Sequence, residues 1–219
     1  MKDVIILGTG GLAAEITFYI EDNNKRVSEE EQLNIKGYID YDYNIEKYYE
    51  HYKFKAPVLC DIDAYQPAPN EEVLIGIGNV EFRNKMIAIL ESKNAVIGSF
   101  IHHTVVIADS QEMGVGNIIF PYCVIEPHCT IGNYNLLTSY SFISHDCSVG
   151  NGNFFSKSGI AGHSSIGDNN YFGINATLIP RVKMGNNNLV QAGMVVHKNV
   201  GDDTTVFYRF KENVMVIKK

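Results

Sequence analysis

The sequence predicts a two-part fold: a small parallel α/β unit over residues 1–97, then a parallel β-helix of hexapeptide repeats over residues 98–219. Two observations predict it. The first part alternates short apolar runs, glycine turns and helical patterns, the sequence form of strands joined by crossover helices. From residue 98 apolar residues recur every six positions, and a hexapeptide period marks a parallel β-helix.

Within the α/β part, Val4-Ile5-Ile6-Leu7 reads as a buried strand that stops at Gly8-Thr9-Gly10-Gly11. A helix over Leu12–Ile20 follows, with Ala13, Ala14, Ile16 and Ile20 as its apolar positions. Ile35–Asp40 is a second strand that ends in an acid. The stretch Asp40–Tyr52, rich in tyrosine and acids, is assigned as a mobile connection. Val73–Gly78 is a further strand, and Asn79–Glu91 is a helix with Met86, Ile87 and Leu90 on one side.

In the repeat, Ile101, Ile107, Met113, Ile119, Ile125, Ile131, Leu137, Ile143 and Val149 are six apart. A second series runs Phe154, Ile160, Ile166, Phe172, Leu178, Met184, Val190 and Val196. All seventeen positions are apolar in a chain that is 45% hydrophobic, which chance would not give. Gly114, Gly132, Gly150, Gly167 and Gly185 follow the apolar position, mostly 18 apart. Three hexads therefore close one triangular coil, and stacked coils bury a continuous column. The fourth position after the apolar residue is usually small, as at Cys123, Cys129, Ser141, Cys147, Ser158, Ser164 and Ala176. The three cysteines in that set are expected to fill interior slots. The step from Val149 to Phe154 is five residues, so one coil is a residue short, just after His145. Irregularities in a repeat often sit beside a site.

Among 219 residues, 18 basic against 25 acidic side chains leave a net charge of −7. That argues against a general nucleic-acid binder, which needs a basic face, but leaves room for a local phosphate pocket. No apolar run approaches the roughly 20 residues of a membrane span. The apolar stretch after Met1 is too short for a signal peptide, so a cytoplasmic protein is expected.

Three constellations point to chemistry. Gly8-Thr9-Gly10-Gly11 follows a strand and opens a helix, where backbone N–H groups attract a phosphate. Asp40 ends the next strand, where a carboxylate can bind ribose hydroxyls. A nucleotide or nucleotide sugar fits this unit better than a full dinucleotide, and the bland alternative is a tight turn. His128, His145 and His163 are 17 and 18 apart and fall along one edge. They would bind zinc in the manner of β-helical carbonic anhydrases, but the His-x4-His pair of those enzymes is absent, and no metal is assigned. Ser144-His145-Asp146 instead sets a carboxylate beside an imidazole, as a general base needs; the alternative is a surface histidine. His51, His102, His103 and His197 lack an acidic context and read as structural or exposed.

On these residues the chain resembles the bacterial sugar acyltransferases of the sialic-acid O-acetyltransferase and UDP-4-amino-sugar N-acetyltransferase type. The segments that carry the resemblance are Gly8–Gly11, Ile77-Gly78-Asn79 with Arg83, Ser144-His145-Asp146, Ala161-Gly162 and Phe172–Pro180. It implies a Rossmann-like N-terminal domain, a left-handed β-helix and a homotrimer with active sites between subunits. It implies that His145 is the general base, Asp146 its partner, and Gly162 the residue whose N–H faces the thioester oxygen. Gly162, Ile174, Ala192 and Gly193 fall at the acetyl-CoA positions. Gly10, Gly11, Asp40, Asn79 and Thr138 fall at the nucleotide-sugar end. Many relatives have histidine where this chain has Leu12, a second histidine near Phe154, and asparagine where it has Thr138. The family's Gly-x-Pro-Ala-Lys ending is replaced by Val206-Phe207-Tyr208-Arg209-Phe210-Lys211.

The expected function is acetyl transfer from acetyl-CoA to the amine of a nucleotide-activated amino sugar in glycan biosynthesis, without a metal. Transfer is expected to be direct, since Ser144 as a strand neighbour of His145 would face the other way. Alternatives are O-acetylation of a sugar such as a sialic acid, a metal-dependent hydratase or lyase, and a non-catalytic trimeric nucleotide-sugar binder.

Overall fold

A computed structural model describes residues 1–41 and 50–208. Strands β1 (Lys2–Leu7), β2 (Leu33–Asp40), β3 (Val58–Asp61), β4 (Glu71–Ile75) and β5 (Val96–Ile97) form one sheet in the order β3-β2-β1-β4-β5. All its pairings are parallel. Helices α1 (Gly11–Asn24) and α2 (Val80–Ser92) cover it, so β1 reads as an unbroken apolar run rather than an alternation.

Two glycines set the spacing at the head of α1. Gly8 has φ +108°, and a Cβ there would lie 2.9 Å from the Gly76 carbonyl. A Cβ on Gly76 would lie 3.1 Å from Ala13 Cα, so Gly8 admits the close approach of the two chain segments and Gly76 that of α1. The expected elements recur with moved ends. Helix α1 runs four residues beyond Ile20, and the Val73–Gly78 strand begins at Glu71 and stops at Ile75. Edge strand β3 was not expected; its four residues carry no clear alternation. Residues 42–49 of the expected connection lie outside the described residues.

From Phe100 the chain winds as a parallel β-solenoid of two-residue strands in three sheets of seven, six and five strands. Successive coils pair 17 or 18 residues apart, as in Ile125 with Ile143, Ile143 with Ile160 and Ile160 with Leu178. The inward residues form one apolar column from Ile119 to Val196. Ile101, in the first coil, has no coil beneath it and stays exposed. Cys123, Cys129 and Cys147 are buried in the column as expected. Burial pushes the thiols of Cys123 and Cys147 up to about 12 and about 11, and raises that of Cys129, so none is a ready nucleophile.

The register of the short coil needs correction. Phe155, not Phe154, points inward; it pairs with Leu137 and Phe172 and stacks on the Phe172 ring at 4.8 Å. Phe154 points outward, into the cluster that joins the solenoid to the α/β unit. The missing residue is therefore in the corner Ser156-Lys157-Ser158, not before Phe154. Two adjacent phenylalanines made both registers equally apolar in sequence.

The three edges of the prism differ. One edge carries Gly-x-x-Asn corners, from Gly114–Asn117 to Gly185–Asn188. Asn117, Asn135, Asn153, Asn170 and Asn188 are buried, and each of the last four gives its N–H to the preceding asparagine's Oδ1 at 2.8–2.9 Å. The Nδ2 groups of Asn135, Asn153 and Asn170 also donate to the carbonyls of Gly150, Gly167 and Gly185 at 3.0 Å. A second edge carries His128, His145 and His163. The third carries Tyr122, Tyr140, Lys157 and Asn175 and faces α1. The α/β unit seats Ile16 and Ile20 against Phe100, Ile118, Leu136 and Phe154 on the first sheet's outer face.

Candidate active site

On the histidine edge the left-handed backbone slot recurs at His128, Asp146 and His163, with φ of 61°, 57° and 59°. Asp and His tolerate that slot better than most residues. Because the short coil makes the repeat 17 there, Asp146 and His163 stack, with His145 one residue ahead. His145 Nδ1 lies 2.8 Å from Asp146 Oδ2, and His163 Nδ1 lies 3.7 Å from the same oxygen. The two imidazoles meet edge to face at 5.1 Å. The hydrogen bond from His145 lowers the Asp146 carboxyl below its ordinary range, and the imidazole of His163 adds to that. The backbone is tied as well: the His145 N–H donates to Glu126 Oε2 at 2.9 Å, and the His163 N–H to the His145 carbonyl at 3.0 Å.

With Nδ1 on the carboxylate, Nε2 faces Gly162. A Cβ at residue 162 would lie 2.7 Å from Nε2, so only glycine admits the ring in this position. Gly162 is buried. The neighbouring N–H groups of Ala161 and His163 bond Leu178 and His145 carbonyls, whereas among the described residues no acceptor meets the Gly162 N–H. A buried donor without a partner, beside an imidazole, is an arrangement that can stabilise a developing oxyanion. Ser144 and His145 both sit in the corner, so the expected strand alternation does not apply to them. The Ser144 N–H bonds the Ile160 carbonyl, and its own carbonyl accepts from the Cys129 thiol at 3.1 Å.

The other expected residues gather elsewhere. A cleft of about 730 Å³ lies between α1 and the third edge, lined among others by Gly11, Leu12, Gly78, Thr138, Lys157 and Ile174. Gly10 caps α1 with φ −82° and open space around it, and the helix has no side-chain cap. Neither its conformation nor its packing demands glycine there, unlike Gly8, and no side chain occupies the free N–H groups at the head of α1, where a helix favours an anion. Asp40 accepts from the Thr9 hydroxyl at 2.6 Å. The Asn79 side chain accepts from the Phe82 N–H at 2.8 Å as the cap of α2. Thr138 Oγ1 accepts from the Lys157 N–H at 2.9 Å. Ala192 and Gly193 are exposed one coil beyond Ile174, with the Gly193 N–H on the Ile174 carbonyl at 2.8 Å. Tyr208 of the altered tail reaches the Gly193 carbonyl at 3.4 Å; Arg209 to Lys211 lie outside the described residues.

Within one chain, then, His145, Asp146 and Gly162 occupy one edge, and Gly11, Thr138 and Ile174 line a cleft on another. The sequence reading missed the cleft's aromatic wall, where Tyr122 and Tyr140 stack at 5.3 Å. Their 18-residue spacing was the available signal. His102, read as structural or exposed for want of a local acid, is buried at the cleft with Nδ1 on Thr104 Oγ1 at 2.9 Å and Nε2 3.6 Å from Asp22. That acid comes from α1, 80 residues away, so no local pattern announced it. Burial, with His103 beside it, lowers the pKa of His102 although Asp22 opposes the shift. Desolvation raises the pKa of Glu15 at the cleft rim, opposed by Lys157.

No family model and no curated relative matches the chain. Among solved structures it is similar to PerB from Caulobacter crescentus in complex with CoA and GDP-perosamine, at 20% identity over 94% of this chain and 93% of that one, TM-score 0.77. It is similar to WeeI from Acinetobacter baumannii AYE, at 24% identity over 94% and 96%, TM-score 0.75. It is also similar to the acetyltransferase domain of PglB from Neisseria gonorrhoeae FA1090 in complex with acetyl coenzyme A, at 15% identity over 93% and 95%, TM-score 0.74. At these identities the likeness establishes the fold.

Proposed function

We propose that the chain transfers an acetyl group from acetyl-CoA to the amine of a nucleotide-linked amino sugar. The observation that carries this reading is the His145 imidazole, fixed by Asp146 with Nε2 over Gly162 and its unpaired N–H. Two further observations support it: PerB was crystallised with CoA and GDP-perosamine, and the PglB domain with acetyl coenzyme A. Residues 1–97, read as a Rossmann-like domain, hold the nucleotide sugar. Residues 98–219, read as a left-handed β-helix, perform the transfer, and dependence on acetyl-CoA puts the reaction in the cytoplasm. Among the described residues no helix is long and apolar enough to cross a membrane.

The amine lone pair attacks the thioester carbonyl carbon while His145 Nε2 takes the amine proton. The oxyanion forms at the Gly162 N–H, and its collapse breaks the C–S bond. The imidazolium returns the proton to the CoA sulfur, which leaves the amide and free thiol. Gly10, Gly11 and the head of α1 hold the diphosphate, Asp40 the ribose, and Asn79 and Thr138 the sugar end. Ile174, Ala192 and Gly193 line the acyl donor's arm.

These groups lie on two edges of one chain, so a neighbouring copy completes the site. The second sheet, which joins those two edges, supports this. Its outer face carries Val106, Val124, Phe142, Thr177 and Val195, whereas the third sheet presents Glu112, Thr130, Ser148, Ser165 and Lys183. Pairing the apolar faces around a threefold axis would bring the histidine edge of one chain to the cleft edge of the next.

The test is thiol release from acetyl-CoA with a panel of nucleotide-linked amino sugars. Release with one acceptor, lost in His145→Ala, is expected. Release only with sugar hydroxyls would make it an O-acetyltransferase, and ligand binding with no release would make it a binder.

A further inference from the structure

We propose that His145, Asp146 and His163 form a zinc site whose occupancy switches the base off. The site stands on geometry alone; its effect on turnover rests on the function proposed above. One nitrogen from each histidine and one carboxylate oxygen lie within 4.8 Å of one another. Two of the separations are 2.8 and 3.7 Å. Ligand atoms about 2.0–2.2 Å from a tetrahedral zinc ion stand roughly 3.3–3.5 Å apart, so small side-chain rotations suffice. Two imidazoles and one carboxylate are a donor set that suits zinc.

Three features separate the cluster from an accidental surface group. All three residues sit on adjoining solenoid corners whose backbones are cross-linked, so the donors are held in advance of binding. Among the described residues, the ion-pair partners of Asp146 are the two imidazoles; no lysine or arginine competes for its charge. All three side chains are about half exposed, which gives an aqueous ion a path and leaves a position for water.

The consequence follows from tautomer chemistry. A base at Nε2 needs its lone pair there and its proton on Nδ1, donated to Asp146. Zinc on Nδ1 displaces that hydrogen bond, and the neutral ring must then carry its proton on Nε2. The nitrogen facing Gly162 becomes a donor and cannot accept a proton from the amine. The ion is an inhibitor here, not a cofactor of transfer.

The experiment titrates the EDTA-stripped protein with zinc chloride against a chromophoric chelator, without CoA. The variants are His163→Asn and, as a neighbouring control, His128→Asn, because asparagine tolerates the φ of 59° and 61° at these corners. One zinc per chain is expected, weakened at least about tenfold in His163→Asn and unchanged in His128→Asn. Acetyl-CoA turnover should fall with zinc in the wild type, recover with chelator and resist zinc in His163→Asn. Zinc binding that is undiminished in a folded His163→Asn, or absent in the wild type, would overturn the site. Zinc binding without any turnover in the wild type would leave the site standing and remove the transferase reading.

Discussion

Two edges of the same solenoid, built by the same repeat, do opposite things with their polar atoms. On the asparagine edge the five buried asparagines turn inward and pair: Oδ1 takes the next coil's N–H, and Nδ2 of Asn117, Asn135, Asn153 and Asn170 takes a glycine carbonyl. On the histidine edge the corresponding corners turn imidazoles outward and leave the Gly162 N–H without an acceptor among the described residues. An edge whose hydrogen bonds all close is a stack that holds coils in register. An edge with open donors and acceptors on a rigid backbone is preorganised for a ligand or a reaction.

The largest effects are expected at the histidine edge. His145→Ala should lower turnover by about 10²–10⁴-fold, the usual worth of a general base, with the thermal midpoint nearly unchanged; steady-state rates and calorimetry check both. Gly162→Ala keeps the N–H but sets a Cβ 2.7 Å from Nε2. It should cost about 10²-fold in kcat by displacing the ring, since errors near 1 Å in a catalytic group carry that penalty. The asparagine edge should fail differently. Asn153→Ala strips the partners of the Asn170 N–H and the Gly167 carbonyl. Each buried group left unpaired costs roughly 1–3 kcal/mol, so denaturant melts should shift while the rate per folded chain holds.

Smaller effects sharpen the contrast. Asp146 ionises below its ordinary range because His145 donates to it. A lowered carboxyl favours the native state above its unfolded pKa, and that contribution disappears as pH falls through the lowered value. Stability should therefore lose this acid-dependent contribution in Asp146→Asn, which denaturant melts against pH read, and kcat should fall at neutral pH because the His145 ring loses its partner. At the cleft rim the Glu15 carboxyl is raised by desolvation. Its charge costs stability at neutral pH, so Glu15→Gln should raise the melting temperature slightly at pH 7 and not at pH 4.

The repeat was legible because a period of six is enforced by the solenoid at every coil. The inward column and the small cysteine slots follow from it directly. The glycines of the Gly-x-x-Asn corners were legible too, yet their asparagines, 17 or 18 apart, went unread because buried amides look like loop residues in a single sequence. The register at Phe154 and Phe155 failed because adjacent identical side chains carry no alternation. His145 beside Asp146 was visible as a local pair. The approach of His163 depends on the short coil bringing residue 163 over residue 146, and His102 meets Asp22 only through docking of α1 on the solenoid; both are tertiary facts.

The most direct measurement is the initial rate of thiol release per folded chain, wild type against His145→Ala, with an amino-sugar acceptor that the wild type uses. A loss of at least about a hundredfold with an unchanged melting temperature is expected. A variant that keeps near-native turnover would contradict it and return the histidine edge to being surface.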